Sequence, residues 1–253
     1  MISIVCVYNN PDILNTYLMR GLNHQTSTYE LILLDNTAGQ FHSAAKALNE
    51  GGKKATSEYI LFSHQDVYLP TASWLEEAEG HLKSIPSLGI AGIAGMIAGG
   101  SDNETRGRNM IKHGEPHRDW SWGRVIMEPI PVQTLDECLV IIPRSVFNRY
   151  PFDAITCMYW DLYAVDYCLT SSQRNLGVYV LPLMIHHGSL GRLTKNYFVT
   201  LKKVLEKHRI HVDRINTTVN SWQTGSPLGM QRLNKWIADF LRRVQRKIYQ
   251  EIR

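Results

Sequence analysis

The sequence predicts an α/β fold, a Rossmann-like mixed sheet flanked by helices over residues 1–195, with a helical extension over residues 196–253. Three observations carry this expectation. Short apolar runs alternate with segments of helical period, the pattern of layered α/β domains. Of the 253 residues, 44% are hydrophobic and 20% charged, a globular composition that excludes collagen-like, disordered and disulfide-scaffold chains. From Tyr197 onward the pattern is helical, broken near Gly225 and Pro227.

Each element follows from local pattern. Ser3–Val7 (SIVCV) predicts a buried strand, and Asp12–Leu22 a helix behind Pro11, with Ile13, Leu14, Tyr17, Leu18 and Leu22 at helical spacing. Glu30–Leu34 is the second strand and Ser43–Lys54 the next helix; Tyr59–Phe62 is the third strand, and a helix over Thr71–Ser84 starts after Pro70. Gly89–Ile97 predicts a fourth strand loosened by glycines. Ala98–Pro131 is polar and lacks a clear period, as long functional or disordered loops do. Beyond it, Glu137–Ile142 is strand, Met158–Gln173 helix and Val178–Leu181 strand.

Several classes fall away on the letters. The longest apolar run, Leu88–Gly100, is shorter than the ~20 residues a membrane span needs. The opening MISIVCVYNN has neither a basic leader nor a small-residue cleavage site, which predicts a cytoplasmic protein. Cys6, Cys138, Cys157 and Cys168 form no CxxC pair and sit in or beside apolar stretches, as reduced core thiols do. The turn after the first strand is YNNPD, without the glycines of a dinucleotide fingerprint. Gly51-Gly52-Lys53-Lys54 lacks the first glycine and the hydroxyl of a P-loop, and neither HExxH nor GxSxG occurs. The net charge of +4 is uneven: residues 230–253 hold seven basic and two acidic side chains, so residues 1–229 sum to −1. A body of that charge has no electrostatic footprint for nucleic acid.

Ligands of open α/β sheets bind beyond the carboxyl ends of the strands. After the first strand come Tyr8, Asn9 and Asn10; after the second, Asp35 and Asn36; after the third, His64, Gln65 and Asp66; after Met184 and Ile185, His186 and His187. Turns favour Asn and Asp in any case. Four strand ends delivering such groups together predict a polar site with oxygen and nitrogen ligands for a hard or borderline divalent cation.

In order, SIVCVYNN, ELILLDN, YILFSHQDV, TLDECLVIIPRSVF, WDLYAVDYCL and IHHGSLG resemble the segments of family 2 glycosyltransferases with the GT-A fold, in the bacterial branch whose third strand ends in HQD. The resemblance covers about residues 2–195. It implies that Tyr8 and Asn9 line a nucleotide pocket, that Asp35 contacts the base, and that His64 and Gln65 belong to the same nucleotide site. Asp66 occupies the metal-binding position of the DxD motif, His64 standing where its first aspartate would be, and His186 matches a late metal ligand. Asp161 and Asp166 fall where the family keeps its catalytic carboxylate. Ala164 stands at the commonest base position, so Asp166 is the first candidate and Asp161 the second. Asp136 and Glu137, which precede a strand, hold either the donor sugar or the loop itself.

The activity implied is sugar transfer from a nucleoside-diphosphate donor, a UDP-sugar first, to a saccharide or lipid-linked acceptor, with inversion, in polysaccharide assembly. One carboxylate takes the acceptor proton, and Mn2+ or Mg2+ offsets the charge on the leaving diphosphate. A nucleotide-sugar-binding pseudoenzyme that scaffolds other enzymes at a membrane is the alternative, motivated by Ala164. Trp120 and Trp122 are either an acceptor platform or loop packing. In the tail, Met230, Leu233, Trp236, Ile237, Phe240, Leu241, Val244 and Ile248 form one apolar stripe among basic residues. That pattern predicts either a helix lying on an anionic inner membrane face or one docked on the body or on a second copy of the chain.

Overall fold

A computed structural model describes residues 1–114, 122–189, 193–237 and 240. The chain opens with β1 (Ile2–Tyr8), and Asn10 then caps α1 (Pro11–Leu14) by accepting from the Asp12 and Ile13 amides. The helix continues as one π turn (Asn15–Met19) and α2 (Arg20–Leu22). Then come β2 (Tyr29–Asp35), α3 (Ala44–Lys54, capped by Ser43), β3 (Tyr59–Ser63), β4 (Val67–Tyr68) and α4 (Trp74–Ser84).

The fourth predicted strand divides into β5 (Leu88–Gly92) and β6 (Ala94–Met96), which belong to different sheets. The stretch read as irregular carries α5 (Asn103–Arg106), β7 (Gly107–Asn109), β8 (Ile111–His113) and β9 (Ile130–Pro131). Its Trp120 lies outside the described residues, whereas Trp122 packs against the core and crowds Gly107. Next come β10 (Thr134–Leu135), β11 (Leu139–Pro143), α6 (Arg144–Arg149), α7 (Tyr163–Gln173), β12 (Gly177–Val180), β13 (Ile185–His187) and α8 (Lys195–His208). A hairpin of β14 (Arg214–Asn216) and β15 (Ser221–Gln223) follows, which the helical reading missed, and residues 228–237 are helical.

The main sheet runs β2-β1-β3-β11-β5-β12-β9. Its central strands are buried on both faces, which is why they read as unbroken apolar runs: Ile4, Val5, Cys6, Ile60, Leu61, Ile90 and Leu139–Ile142 are fully buried. α3 packs against β1 and β2, and α7 against β5 and β12. The core continues past residue 195, the boundary suggested by the sequence, and takes in Leu201, Val204 and Leu205 of α8 and Ile215 and Trp222 of the hairpin. The four cysteines are free and buried.

Two pairings build the site. β1, β2 and β3 are parallel, so Tyr8, Asp35 and Ser63 end at one rim. β11 runs antiparallel to β3 with Leu139 opposite Ser63, which brings Asp136 and Glu137, just before β11, to the same rim. A small sheet, β4-β13-β8, stands there too, with His187 opposite both Val67 and His113.

Candidate functional site

Two cavities open at this rim. The first, about 370 Å³, is lined by Tyr8, Asn9, Asn36, His64, Asp66 and Trp160 among others. The second, about 260 Å³, is lined by His64, Asp136, Glu137, Asp161, His187 and Thr218 among others. His64 belongs to both.

Gln65 ties the first cavity together. Its Oε1 accepts from the Asn9 and Asn10 amides at 3.1 and 3.0 Å, and its Nε2 donates to Asn9 Oδ1 at 2.8 Å. The side chain placed by the sequence at the nucleotide is thus spent on fixing the loop beside it. Asp35 sits exposed at the end of β2 and accepts from Thr37 N at 2.8 Å, one residue before the cavity-lining Asn36.

Where the cavities meet, His64, Asp66 and His187 place ligand atoms within 4.8 Å of one another. Burial alone would push the Asp66 carboxyl up. The hydrogen bond from His187 Nε2 (3.3 Å) and the His187 charge reverse this and hold it well below the usual carboxylate range. Burial favours neutral His187, but the same Asp66 carboxylate raises its pKa. His64 is lowered, by burial and then by the neighbouring His187 charge, so its imidazole is neutral at pH 7 and keeps a lone pair for ligation. Two imidazoles and a carboxylate suit a borderline-to-hard divalent cation. The His187 nitrogen facing the Asp66 carboxylate is Nε2, at 3.3 Å, so the same two side chains could share a cation. The set fits a metal.

Here the structure corrects a sequence expectation. His187, not His186, joins Asp66. Strand residues alternate between faces, so His187 shares the face of buried Ile185, while half-buried His186 lies opposite Tyr68 with ring centroids 6.1 Å apart. The burial of Ile185 is the signal in the letters that identifies His187. The next residue, Gly188, lets Tyr17 of the π turn close in: a Cβ there would stand 2.8 Å from the Tyr17 ring.

The second cavity gathers carboxyl groups. Asp136 accepts from Cys138 N at 3.1 Å and from the Thr218 hydroxyl at 3.0 Å. Burial works against its charge, but the His187 charge and the Cys138 donors keep its pKa low. Glu137 accepts from Ala164 N at 3.1 Å, at the start of α7; burial and the nearby Asp161 push it up to about 8, against the opposing backbone donors. Burial also raises Asp161.

The helix predicted over Met158–Gln173 starts only at Tyr163, because Leu162 adopts the left-handed conformation (φ 68°). This strained, buried residue separates the helix from the turn carrying Trp160 and Asp161, a kind of strain that collects at functional sites. Asp166, the first candidate for the base, lies elsewhere. It is 1% exposed and accepts from Lys207 Nζ at 2.7 Å and His208 Nε2 at 2.8 Å, beside a different cavity that includes Arg149 and Arg174. Asp161 precedes the helix, across left-handed Leu162, and lines the second cavity, so no helix face joins the two aspartates. Trp160, His113 and Thr218 line the cavities without having been singled out as binding residues. Non-local folding brings them there.

Residues 3–208 match the model of a family described as glycosyltransferase like. No curated protein sequence matches the chain. Among solved structures, residues 1–349 of S. aureus TarS in complex with UDP-GlcNAc are similar, with TM-score 0.57 and 13% identity over 84% of this chain and 67% of that one. The mannosyltransferase PcManGT from Pyrobaculum calidifontis, in complex with GDP-Man and Mn2+, gives TM-score 0.52 and 11% identity over 81% of this chain and 61% of that one. GalNAc-T7 with UDP, GalNAc and Mn2+ gives 0.58 and 13% over 82% of this chain and 47% of that one, so the present chain spans about half its length. At such identities the likeness is one of fold.

Proposed function

The chain belongs to the glycosyltransferase-like family whose model spans residues 3–208 and has the GT-A fold of its structural neighbours, and on that premise we propose that it transfers a sugar from a nucleoside diphosphate to a hydroxyl acceptor with inversion. A UDP-sugar is the first donor to test, and the acceptor is a saccharide or a lipid-linked glycan. One observation carries this reading: His64 is common to both cavities, so a nucleoside among Tyr8, Asn9, Asn36 and Trp160 would send its diphosphate past His64, Asp66 and His187 and its sugar toward Asp136. Mn2+ or Mg2+ held by those three side chains would supply charge neutralisation to the leaving diphosphate.

The other steps belong to the chain. The acceptor oxygen bonds to the anomeric carbon from the face opposite the diphosphate, whose oxygen leaves with the electron pair. The proton passes to the Asp161 carboxylate. Burial raises the basicity of Asp161. Glu137, with its pKa at about 8, is largely protonated at pH 7 and donates a hydrogen bond rather than taking a proton. Asp136, fixed by Thr218 and the Cys138 amide, accepts from sugar hydroxyls. The Ala164 amide binds Glu137, so the helix start serves the site through its backbone although position 164 has no carboxylate.

UDP-GlcNAc, UDP-Gal and GDP-Man would be screened for hydrolysis, with Mn2+ and with EDTA. Turnover of one donor with Mn2+ alone is expected. Tight UDP binding without turnover of any donor or transfer to any acceptor would favour the scaffold alternative.

A further inference from the structure

An amphipathic helix on a folded body ordinarily buries its apolar stripe and leaves its basic face in water. The helical segment 228–237 does the reverse. Leu228 packs against the core at its start. The Gln231 side chain accepts from Gln223 N and donates to Gln223 O, both at 2.8 Å, and donates to Ser226 O at 2.9 Å. The Arg232 guanidinium lies 3.9 Å from the centroid of the Phe198 ring, and the Lys235 ammonium 5.9 Å from that of Trp222. Polar and basic side chains therefore fasten the helix to α8 and the hairpin. The apolar side chains point away: Met230, Leu233, Trp236 and Phe240 are each more than half exposed and Ile237 is 42% exposed. Trp236 and Phe240 stack at 5.8 Å to form a single aromatic ridge.

Two features identify what covers this ridge. Residues 230–253 carry a net charge of +5, so a second copy of the chain would set like charges against each other, whereas an anionic surface is complementary. Beside the helix, Lys195, Lys202, Lys203 and Arg232, against the single carboxylate of Glu206, line a groove of about 940 Å³ whose apolar lining includes Phe198 and Leu228. A basic rim over apolar side chains matches the headgroup and acyl boundary of a lipid. Among the described residues no helix is long and apolar enough to cross a membrane.

We propose that the face formed by Met230, Leu233, Trp236, Ile237 and Phe240 lies on an anionic phospholipid bilayer, with the aromatic ridge at the headgroup level and the basic groove against the headgroups. Leu193 lines both this groove and the cavity that holds Asp136 and Asp161, so the docked face adjoins the site. On the transferase reading, that contact presents the site to a lipid-linked acceptor; the membrane contact itself does not depend on that reading.

The test is co-sedimentation of the full chain with vesicles of phosphatidylcholine, alone or with 30 mol% phosphatidylglycerol, at 0.15 M salt. Binding to the anionic vesicles only is expected, and Leu233→Glu combined with Trp236→Glu should weaken it at least tenfold. The double variant should keep the wild-type melting temperature and UDP binding, because both positions face water. Independently of that variant, the Trp236 contribution to fluorescence, taken as the difference between wild type and Trp236→Phe, should move to shorter wavelength on anionic vesicles. Failure to bind anionic vesicles, unchanged binding by the double variant, or a wild-type dimer that the variant dissolves would each overturn the proposal. UDP and donor assays on the same samples report separately on the transferase reading.

Discussion

Replacing Asp166 with Asn tests the proposal that the base is Asp161 rather than Asp166. Asp166 is 1% exposed and carries two charge-assisted contacts, to Lys207 at 2.7 Å and to His208 at 2.8 Å. Breaking a buried pair by removing one partner costs ~3–5 kcal/mol. The lower end applies here, because Lys207 keeps Asp153 at 2.9 Å and is itself partly exposed, and His208 keeps Gln173 at 2.8 Å. For a chain of this size a loss of ~3 kcal/mol lowers the melting temperature by roughly 6–12 °C. The variant, measured by differential scanning fluorimetry and assayed for nucleoside-diphosphate release well below its transition, should retain near-wild-type turnover. Asp161→Asn should behave in the opposite way: a melting temperature within ~2 °C of wild type and turnover lower by ~10²–10⁴-fold. An Asp166→Asn protein that melts like wild type yet has lost turnover would refute the placement of the base in the second cavity.

Further outcomes are expected. The rise in melting temperature that Mn2+ adds to UDP should vanish in His187→Ala and survive in His186→Ala; the reverse pattern would restore His186 as the ligand. Because Asp66 raises the proton affinity of His187 and a metal competes with that proton, the rise should shrink as pH falls from 8 to 6, as melting curves at each pH would reveal. Glu137 has a folded pKa above its unfolded one, so the folded state binds the extra proton; the stability this contributes is complete below about 4.5 and lost as pH rises through about 8. Glu137→Gln should therefore flatten the fall in melting temperature across that window, and an unchanged slope would contradict the burial of the carboxyl. Gln65→Ala frees the Asn9 loop and should raise the donor KM several-fold at near-constant kcat, measured by initial rates.

The strands of the main sheet were legible in the letters because burial on both faces demands unbroken apolar runs, as in SIVCV and YILF. The rim was legible too, since polar residues directly after such runs must lie at strand ends. Asp66, Asp136, Glu137 and Asp161 were found in this way or by family resemblance, and all four line the cavities. The short strands β7, β8, β14 and β15 were not, because segments of three residues carry too few side chains to show a period.

What the sequence by itself determined was therefore the fold class, the rim and the chemical character of the groups that meet there, all of which depend on local pattern. Tertiary structure alone decided where neighbours lie: His187 rather than His186 beside Asp66, Asp161 rather than Asp166 in the second cavity, and an outward rather than inward apolar face on the last described helix. Each of these choices is set by the pairing of a strand, the first turn of a helix or the packing of a distant ring. Such contacts join residues far apart in the chain, and their energy has no trace in local spacing.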